Sequence, residues 1–80
     1  MLTLFSNDCP DCKRSVNLLN DHKINYRKVN IDTDTGYLEF EERFMSKYSD
    51  RMMPVLMDGD EMAWAGYADI MLAVQLGEIG

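Results

Sequence analysis

Two cysteines three positions apart are the feature that most constrains how this 80-residue chain can fold. Cys9 and Cys12 stand in the segment Cys-Pro-Asp-Cys, which follows a short apolar run that predicts a strand over residues 1–5. Pro10 suits the first position of a helix, because its missing N–H would have no partner there. On one helical turn the two sulfurs are close enough for a disulfide.

The position of this pair at the start of a helix indicates redox chemistry. A cysteine at a helix N-terminus faces unpaired backbone N–H groups and the positive end of the helix dipole, and both favour the thiolate. We therefore expect Cys9 to attack from an exposed tip and Cys12, one turn further on, to resolve the mixed disulfide. Asp11 disfavours a nearby thiolate, whereas Lys13 and Arg14 favour it.

A metal site is the alternative that belongs to a different class of function. A structural zinc site takes four Cys or His ligands, and His22 is the only histidine available beside the two cysteines. A closed site within one chain is therefore not expected. A non-enzymatic metal or iron–sulfur carrier that dimerises through Cys9 and Cys12 remains the alternative.

The charge of the chain excludes one class of partner. The net charge is −6 and the pI is about 4.5, whereas nucleic-acid binders need clustered basic residues. We find neither a signal peptide nor an apolar stretch of the roughly 20 residues that a membrane span needs. The expectation is a monomeric cytoplasmic protein that contacts neither nucleic acid nor membrane, in a compartment where thiols are kept reduced.

The hydrophobic pattern predicts one domain over residues 1–80 with the order β-α-β-α-β-β-α. The helix that contains Cys12 runs to about residue 20, and residues 24–31 form the second strand. The apolar stripe of the second helix has spacings of three, four and four; its members are Tyr37, Phe40, Phe44 and Tyr48. Residues 55–57 and 61–64 form a hairpin around Asp58-Gly59, and residues 68–76 form the last helix.

This order implies an α/β architecture with a mixed sheet. A strand–helix–strand opening gives a parallel pair with a right-handed crossover, and the hairpin adds an antiparallel edge. We therefore predict a four-stranded mixed sheet flanked by three helices.

Three segments in this order together resemble the glutaredoxin family of the thioredoxin superfamily. They are Cys9-Pro10-Asp11-Cys12, Met53-Pro54, and Gly66-Tyr67-Ala68-Asp69-Ile70. The resemblance spans nearly the whole chain. It implies a thioredoxin fold and a glutathione-dependent thiol–disulfide oxidoreductase that needs no metal or nucleotide cofactor. The sequence departs from the family at Asp11, where an aromatic residue is common, and at Ala65, which replaces the first of two glycines.

The resemblance also implies residues that bind glutathione. From the residues alone a trans Met53–Pro54 bond is favoured, because only about 5–6% of X–Pro bonds are cis. The resemblance implies instead a cis Pro54 beside the Cys9 sulfur. The backbone of Met53 would pair with the cysteinyl part of glutathione. Arg51 lies near a position that often helps to bind the glycyl carboxylate.

The start of the last helix is the other part of this implied site. By the same resemblance, the backbone of Ala68 and Asp69 would hold the γ-glutamyl carboxylate, and the Asp69 side chain would hold its amine. A helix N-terminus is an anion site, which agrees with this assignment. Without the resemblance, Asp69 could equally be a helix cap with no ligand.

A second group of redoxins shares part of this pattern. Trp64-Ala65-Gly66-Tyr67 resembles a segment of NrdH-type redoxins, which are reduced by thioredoxin reductase instead of glutathione. The spacing from Gly66 to Asp69 is closer to that of glutaredoxins. Both groups donate electrons to ribonucleotide reductase, and the resemblance therefore implies that enzyme as a partner.

Overall fold

The computed structural model describes residues 1–48 and 52–79. In chain order the elements are β1 (Leu2–Ser6), α1 (Pro10–Asp21), β2 (Arg27–Asn30), α2 (Asp34–Phe40), a π-helical segment (Glu41–Met45), β3 (Val55–Asp58), β4 (Met62–Ala65) and α3 (Tyr67–Gln75). This is the predicted order. Within the described residues, every helix is too short or too polar to cross a membrane.

The four strands form one mixed sheet in the order β2-β1-β3-β4. Strand β1 is parallel to β2 and antiparallel to β3, and β3 pairs antiparallel with β4. Phe5 lies opposite Val55, which in turn lies opposite Ala65. The end of β1, the start of β3 and the end of β4 therefore meet at one edge of the sheet, called the upper edge below.

Side chains from alternate positions of the strands form two cores, one on each face of the sheet. Leu4 and Leu56 belong to the core under α1 and α3, and Phe5 and Val55 belong to the core under α2. Trp64 is buried in the first of these cores. The predicted α/β architecture, a mixed four-stranded sheet flanked by three helices, is confirmed, and it is a thioredoxin-like fold.

Strand β2 is shorter than the sequence pattern predicted. Helix α1 ends at Asp21. Two residues later Lys23 is in the left-handed region at φ 56°, and the N–H of Ile24 donates to the carbonyl of Leu19 at 3.0 Å. This arrangement is a Schellman motif with lysine in the position that glycine usually takes. Ile24 and Tyr26 then pack against the core before the chain joins the sheet.

The second helix changes its hydrogen-bond pattern part of the way along. After α2 the backbone bonds of Glu41–Met45 span five residues, which is the π-helical pattern. Phe40 and Phe44 are buried, and their stacked rings lie 5.2 Å apart. Tyr37 and Tyr48 keep 41% and 39% of their surface exposed, so the predicted apolar stripe is buried only in its middle.

A network of charged groups ties this helical segment to the sheet. Arg43 donates to the carboxylate of Glu39 at 2.9 Å and to that of Asp60 at 3.0 Å. It also donates to the carbonyl of Gly59, in the turn between β3 and β4, at 2.8 Å. Arg27 of β2 forms a two-pronged ion pair with the same Glu39. The network therefore connects the second helix with β2 on one side of the sheet and with the turn that leads into β4 on the other side.

We predict that this network makes stability depend on pH through Glu39. Hydrogen bonds from Arg27, with a further contribution from Arg43, hold the pKa of Glu39 below its ordinary value of 4.5, although burial acts in the opposite direction. The Glu39 carboxylate therefore contributes its full stabilisation above pH 4.5, the ordinary pKa of a glutamate. This contribution is lost as the pH falls through the lowered pKa of the folded protein. We expect Glu39→Gln to cost about 0.5 to 1 kcal/mol at pH 7.

Thermal unfolding of the wild type and the variant at several pH values tests this prediction. The expected difference in Tm is about 3 to 6 °C at pH 7, and it should shrink steadily below pH 4.5. Glu42→Gln removes the same charge from an exposed position in the π-helical segment that follows α2, and it should leave Tm nearly unchanged. An equal loss in both variants would contradict the role of the ion pairs.

Candidate redox site

Cys9 is the N-cap residue of helix α1 and directly precedes its first helical residue, Pro10. Its backbone is extended, with φ −70° and ψ 156°, and its carbonyl accepts the N–H of Lys13 at 3.2 Å. Its Sγ accepts the backbone N–H of Cys12 at 3.1 Å, so the sulfur itself caps the helix. Pro10 occupies the first helical turn, as predicted. The sulfur of Cys9 thus lies at the positive end of the helix dipole, where negative charge is stabilised.

The two cysteines are paired as a disulfide, with Cα atoms 5.1 Å apart. The two residues differ in solvent exposure: only 1% of the surface of Cys12 is exposed, whereas Cys9 is half-buried. Cys9 is thus less exposed than the sequence predicted. Attack on a disulfide needs access to its sulfur. Cys9 is therefore the sulfur that a second molecule can reach.

The charges beside the pair are largely in solvent. Asp11 and Arg14 form an exposed ion pair at 3.4 Å, so the positive charge offsets the carboxylate that stands between the two cysteines. Lys13 is also exposed. Exposed charges interact weakly because water screens them. The helix N-terminus and the hydrogen bond from the N–H of Cys12 are therefore the stronger influences on the Cys9 sulfur.

Asn7 contacts both cysteines, and sequence reasoning missed it. Its side-chain Oδ1 accepts the N–H of Cys9 at 3.0 Å, and its own backbone N–H donates to the Sγ of Cys12 at 3.4 Å. An asparagine two residues before a helix cap is nevertheless a known local signal, because its side chain can accept the backbone N–H two positions later.

The Met53–Pro54 bond is cis, as the resemblance implied and in contrast to the expectation from the residues alone. Pro54 is buried directly before β3, at the upper edge where β1 ends. Its carbonyl accepts the N–H of Gly66 at 2.7 Å, which joins the entry of β3 to the start of α3. Met53 is half-buried beside it.

The backbone at the start of α3 explains why Ala65 can replace the first of the two glycines that the family has there. Gly66 has φ 88° and ψ 156°, a conformation almost restricted to glycine, whereas Ala65 is the last residue of β4 in ordinary extended backbone. The first helical bond runs from Ile70 to the carbonyl of Gly66, so the N–H groups of Ala68 and Asp69 have no partner within the helix. The exposed carboxylate of Asp69 accepts the N–H of Ala65 at 3.4 Å.

The sheet register brings these separate segments to one edge. Helix α1 starts after β1, and α3 starts after β4, so the N-termini of both helices lie at the upper edge together with Pro54. Cys9, Cys12, Met53, Ala68 and Asp69 are thus gathered there. Arg51 lies outside the described residues. Among the residues that the structure describes, no three His, Cys, Asp or Glu side chains are grouped so as to hold a metal ion.

A thioredoxin-like sheet with a cysteine pair at the start of its first helix defines a class of thiol–disulfide redox protein. Comparison with protein families agrees with this class, because the model of the glutaredoxin family matches residues 2–62. The chain therefore belongs to the glutaredoxin family and to the thiol–disulfide oxidoreductases.

Several solved structures share the fold. A buckwheat glutaredoxin in a glutathione complex has a TM-score of 0.77 at 19% identity, covering 96% of this chain and 70% of that chain. A glutaredoxin from Archaeoglobus fulgidus has a TM-score of 0.71 at 22% identity, covering 94% and 84%. One from Brucella melitensis has a TM-score of 0.68 at 19% identity, covering 96% and 80%. Comparison with curated proteins found no match.

Proposed function

We propose that this protein is a glutathione-dependent oxidoreductase that reduces protein disulfides through Cys9 and Cys12. One observation carries the proposal above the others: a reachable Cys9 sulfur at the N-terminus of α1 is paired with a buried Cys12. This arrangement gives the two sulfurs different tasks, because only one of them can meet a substrate. The glutaredoxin match supports glutathione as the reductant.

The proposed reaction proceeds in two exchanges. The Cys9 thiolate attacks one sulfur of the substrate disulfide, and the other sulfur leaves as a thiolate. Cys12 then loses its proton and attacks Cys9, which releases the rest of the substrate and forms the Cys9–Cys12 disulfide. Two molecules of glutathione reduce that disulfide in the reverse sequence of exchanges and leave as glutathione disulfide. No metal or nucleotide takes part.

Glutathione would bind along the upper edge. The backbone of Met53, beside cis Pro54, would pair with its cysteinyl part, and the N–H groups of Ala68 and Asp69 would bind its γ-glutamyl carboxylate. A helix N-terminus suits a carboxylate, and the exposed carboxylate of Asp69 suits the adjacent amine. Arg51 is proposed for the glycyl carboxylate. A related fold has been crystallised with glutathione in the buckwheat protein, which supports this choice of ligand.

We further propose that the protein works as a monomer in the cytoplasm and that ribonucleotide reductase is among its substrates. The net charge of −6 favours a basic surface on the protein partner. The test is whether the reduced protein restores the dithiol of oxidised ribonucleotide reductase faster than glutathione alone does. Equal rates would remove that enzyme from the proposal and would leave the redox chemistry untouched.

Substitution of Asp69 with asparagine tests the proposed glutathione site. Asparagine keeps an oxygen that can accept the N–H of Ala65, so α3 should still begin at the same residue. Loss of the charge should weaken binding of the glutathione amine and raise KM for a glutathionylated peptide about five- to tenfold with little change in kcat. Steady-state kinetics with glutathione and glutathione reductase measure both constants.

Asp21→Asn is the matched control for this variant. Asp21 is exposed at the far end of α1, and its loss changes the net charge by the same amount. We expect Asp21→Asn to keep the wild-type KM. If Asp69→Asn also keeps it, the assignment of Asp69 to glutathione is wrong, and its carboxylate serves only as a helix cap.

A further inference from the structure

Asn7 contacts both cysteines but has no role in the reaction proposed above. Its Oδ1 lies 3.3 Å from the Sγ of Cys12, in addition to accepting the N–H of Cys9 at 3.0 Å. The Cys9 contact determines the orientation of the amide, because only the oxygen can accept an N–H. The oxygen, and not the NH2 group, therefore faces the sulfur of Cys12.

This contact changes its character when the disulfide is reduced. A disulfide sulfur carries no proton, so in the oxidised protein the amide oxygen and the Cys12 sulfur face each other without a hydrogen bond between them. After reduction Cys12 carries a thiol, and Oδ1 is in place to accept its proton. An acceptor beside the thiol stabilises the protonated form and disfavours the thiolate. The burial of Cys12 acts in the same direction.

We propose that Asn7 is a positioning residue that keeps Cys12 protonated in the reduced protein, and thereby shifts the equilibrium of the cysteine pair toward the dithiol. This inference rests on the proposed function and adds to it a cause for the division of labour between the cysteines. Cys9, at the helix cap, becomes the thiolate, whereas Cys12 holds its proton against the oxygen of Asn7 until the resolving step.

The resolving step then balances as follows. A bond forms between the sulfurs of Cys12 and Cys9, and the bond between Cys9 and the substrate sulfur breaks. The substrate leaves as a thiolate, and the proton that Cys12 has lost is available to it through solvent. Cys12 and Asn7 both line a cavity of about 180 Å³ that opens to solvent on this side of α1. Water in this cavity can accept the proton.

Other charged groups near Cys12 do not account for such an effect. Asp8, Lys13 and Lys28 line the same cavity, from the loop, α1 and β2 respectively, and Asp11 lies between the cysteines. All four are exposed, so solvent screens them. They are also unchanged in the variants below and contribute an equal background to each. Asn7 has two polar atoms within hydrogen-bond distance of the Cys12 sulfur. Its backbone N–H, at 3.4 Å, favours the thiolate but is present in every variant of Asn7, whereas its Oδ1, at 3.3 Å, favours the thiol and is what the substitutions change.

Three substitutions of Asn7 separate this role from a simple loop contact. Asn7→Ala removes the oxygen. Asn7→Ser offers a hydroxyl that can still accept the N–H of Cys9 but is too short to reach the Cys12 sulfur. Asn7→Asp keeps an oxygen at both contacts and adds a negative charge. Each is measured by the pH dependence of Cys12 alkylation, in the Cys9→Ser background, and by equilibration of the intact pair in dithiothreitol redox buffers.

The alanine and serine variants should change the acid dissociation constant of Cys12 in the same direction, and the aspartate variant should change it in the opposite direction. For Asn7→Ala and Asn7→Ser we expect the acid dissociation constant of the Cys12 thiol to rise about fivefold, and for Asn7→Asp we expect it to fall. The equilibrium constant for reduction of the pair should fall about fivefold in the alanine and serine variants. That change equals a shift of about 20 mV toward more negative potential, since tenfold corresponds to about 30 mV.

The proposal would be overturned if Asn7→Ala had the wild-type acid dissociation constant of Cys12 and the wild-type equilibrium constant for reduction, or if Asn7→Ser restored both. Asn7 would then only hold the loop in place. If those two variants fail to fold, Asn7→Asp still exposes the proposal to failure, because an unchanged or larger dissociation constant there would show that the atom at this position does not act on the Cys12 thiol. The dithiothreitol buffers need no glutathione site. If the wild-type pair fails to exchange in them, the proposed function itself is wrong, and this outcome is distinct from variants that match an active wild type.

Discussion

Replacement of Cys9 by serine is expected to lower disulfide reduction by about a thousandfold or more, because a hydroxyl at neutral pH is a far weaker nucleophile than a thiolate. The site is favourable for a clean test. Cys9 caps α1 through its Sγ, and serine is among the best residues for that position. The helix should therefore persist while the chemistry is lost. The measurement is the rate of reduction of a protein disulfide such as that of insulin.

The proper reference for Cys9→Ser is the reduced wild type, because the variant cannot form the Cys9–Cys12 disulfide. Circular dichroism should give the same helix content for the two proteins. Activity near the wild-type level in a folded Cys9→Ser protein would contradict the assignment of the nucleophile. Activity that disappears together with the helix signal would call for Cys9→Asn as a second variant, because asparagine caps a helix as well as serine does and also lacks a thiol.

Replacement of Cys12 by serine should separate two activities that the wild type combines. Reduction of protein disulfides should fall by about a hundredfold or more, because attack by a sulfur held one helical turn away is replaced by attack from free glutathione. Removal of glutathione from glutathionylated peptides should continue, since that reaction needs only Cys9. The serine hydroxyl can also take over the contacts of the buried sulfur with Asn7.

Mass spectrometry provides a direct view of this separation. In Cys12→Ser the mixed disulfide between Cys9 and the substrate should accumulate, whereas the wild type should resolve it. A Cys12→Ser protein that reduces protein disulfides at the wild-type rate would show that Cys12 does not resolve the intermediate. Loss of both activities would show that Cys12 is needed for the first exchange as well.

The sequence predicted the elements whose signals are local. Pro10 marked the start of α1 and Asp58-Gly59 marked the hairpin, where Gly59 has φ 57° as such a turn requires. The spacing of Cys9 and Cys12 predicted the helix-capping position of the first sulfur. Each of these signals depends on residues within about one turn of one another, so no knowledge of the tertiary structure was needed.

Features that depend on tertiary packing were not predictable in the same way. The second helix has spacings that fit an ordinary α-helix, and nothing in them indicated the π-helical segment Glu41–Met45. The second strand was predicted from residue 24 because Ile24 and Tyr26 are apolar, yet both pack on the core before the strand begins. Apolar residues at a chain reversal look the same as those of a strand until their partners are known.

The site divides along the same line. The cysteine pair follows from spacing and helix chemistry, whereas cis Pro54 and the residues at the start of α3 came from family resemblance alone. The fold then explains why they belong together, because the register of β1, β3 and β4 places their ends at one edge. Asn7 was missed because its contact with Cys12 depends on how the loop folds over the helix.

The measurement that tests the central claim most directly is the choice of reductant. Oxidised wild-type protein is offered NADPH with glutathione and glutathione reductase, or NADPH with thioredoxin reductase, and consumption of NADPH is followed with a disulfide substrate. The account predicts turnover with the glutathione system and little with thioredoxin reductase. Turnover with thioredoxin reductase alone would contradict it and would mean that Met53, Pro54, Ala68 and Asp69 do not form a glutathione site.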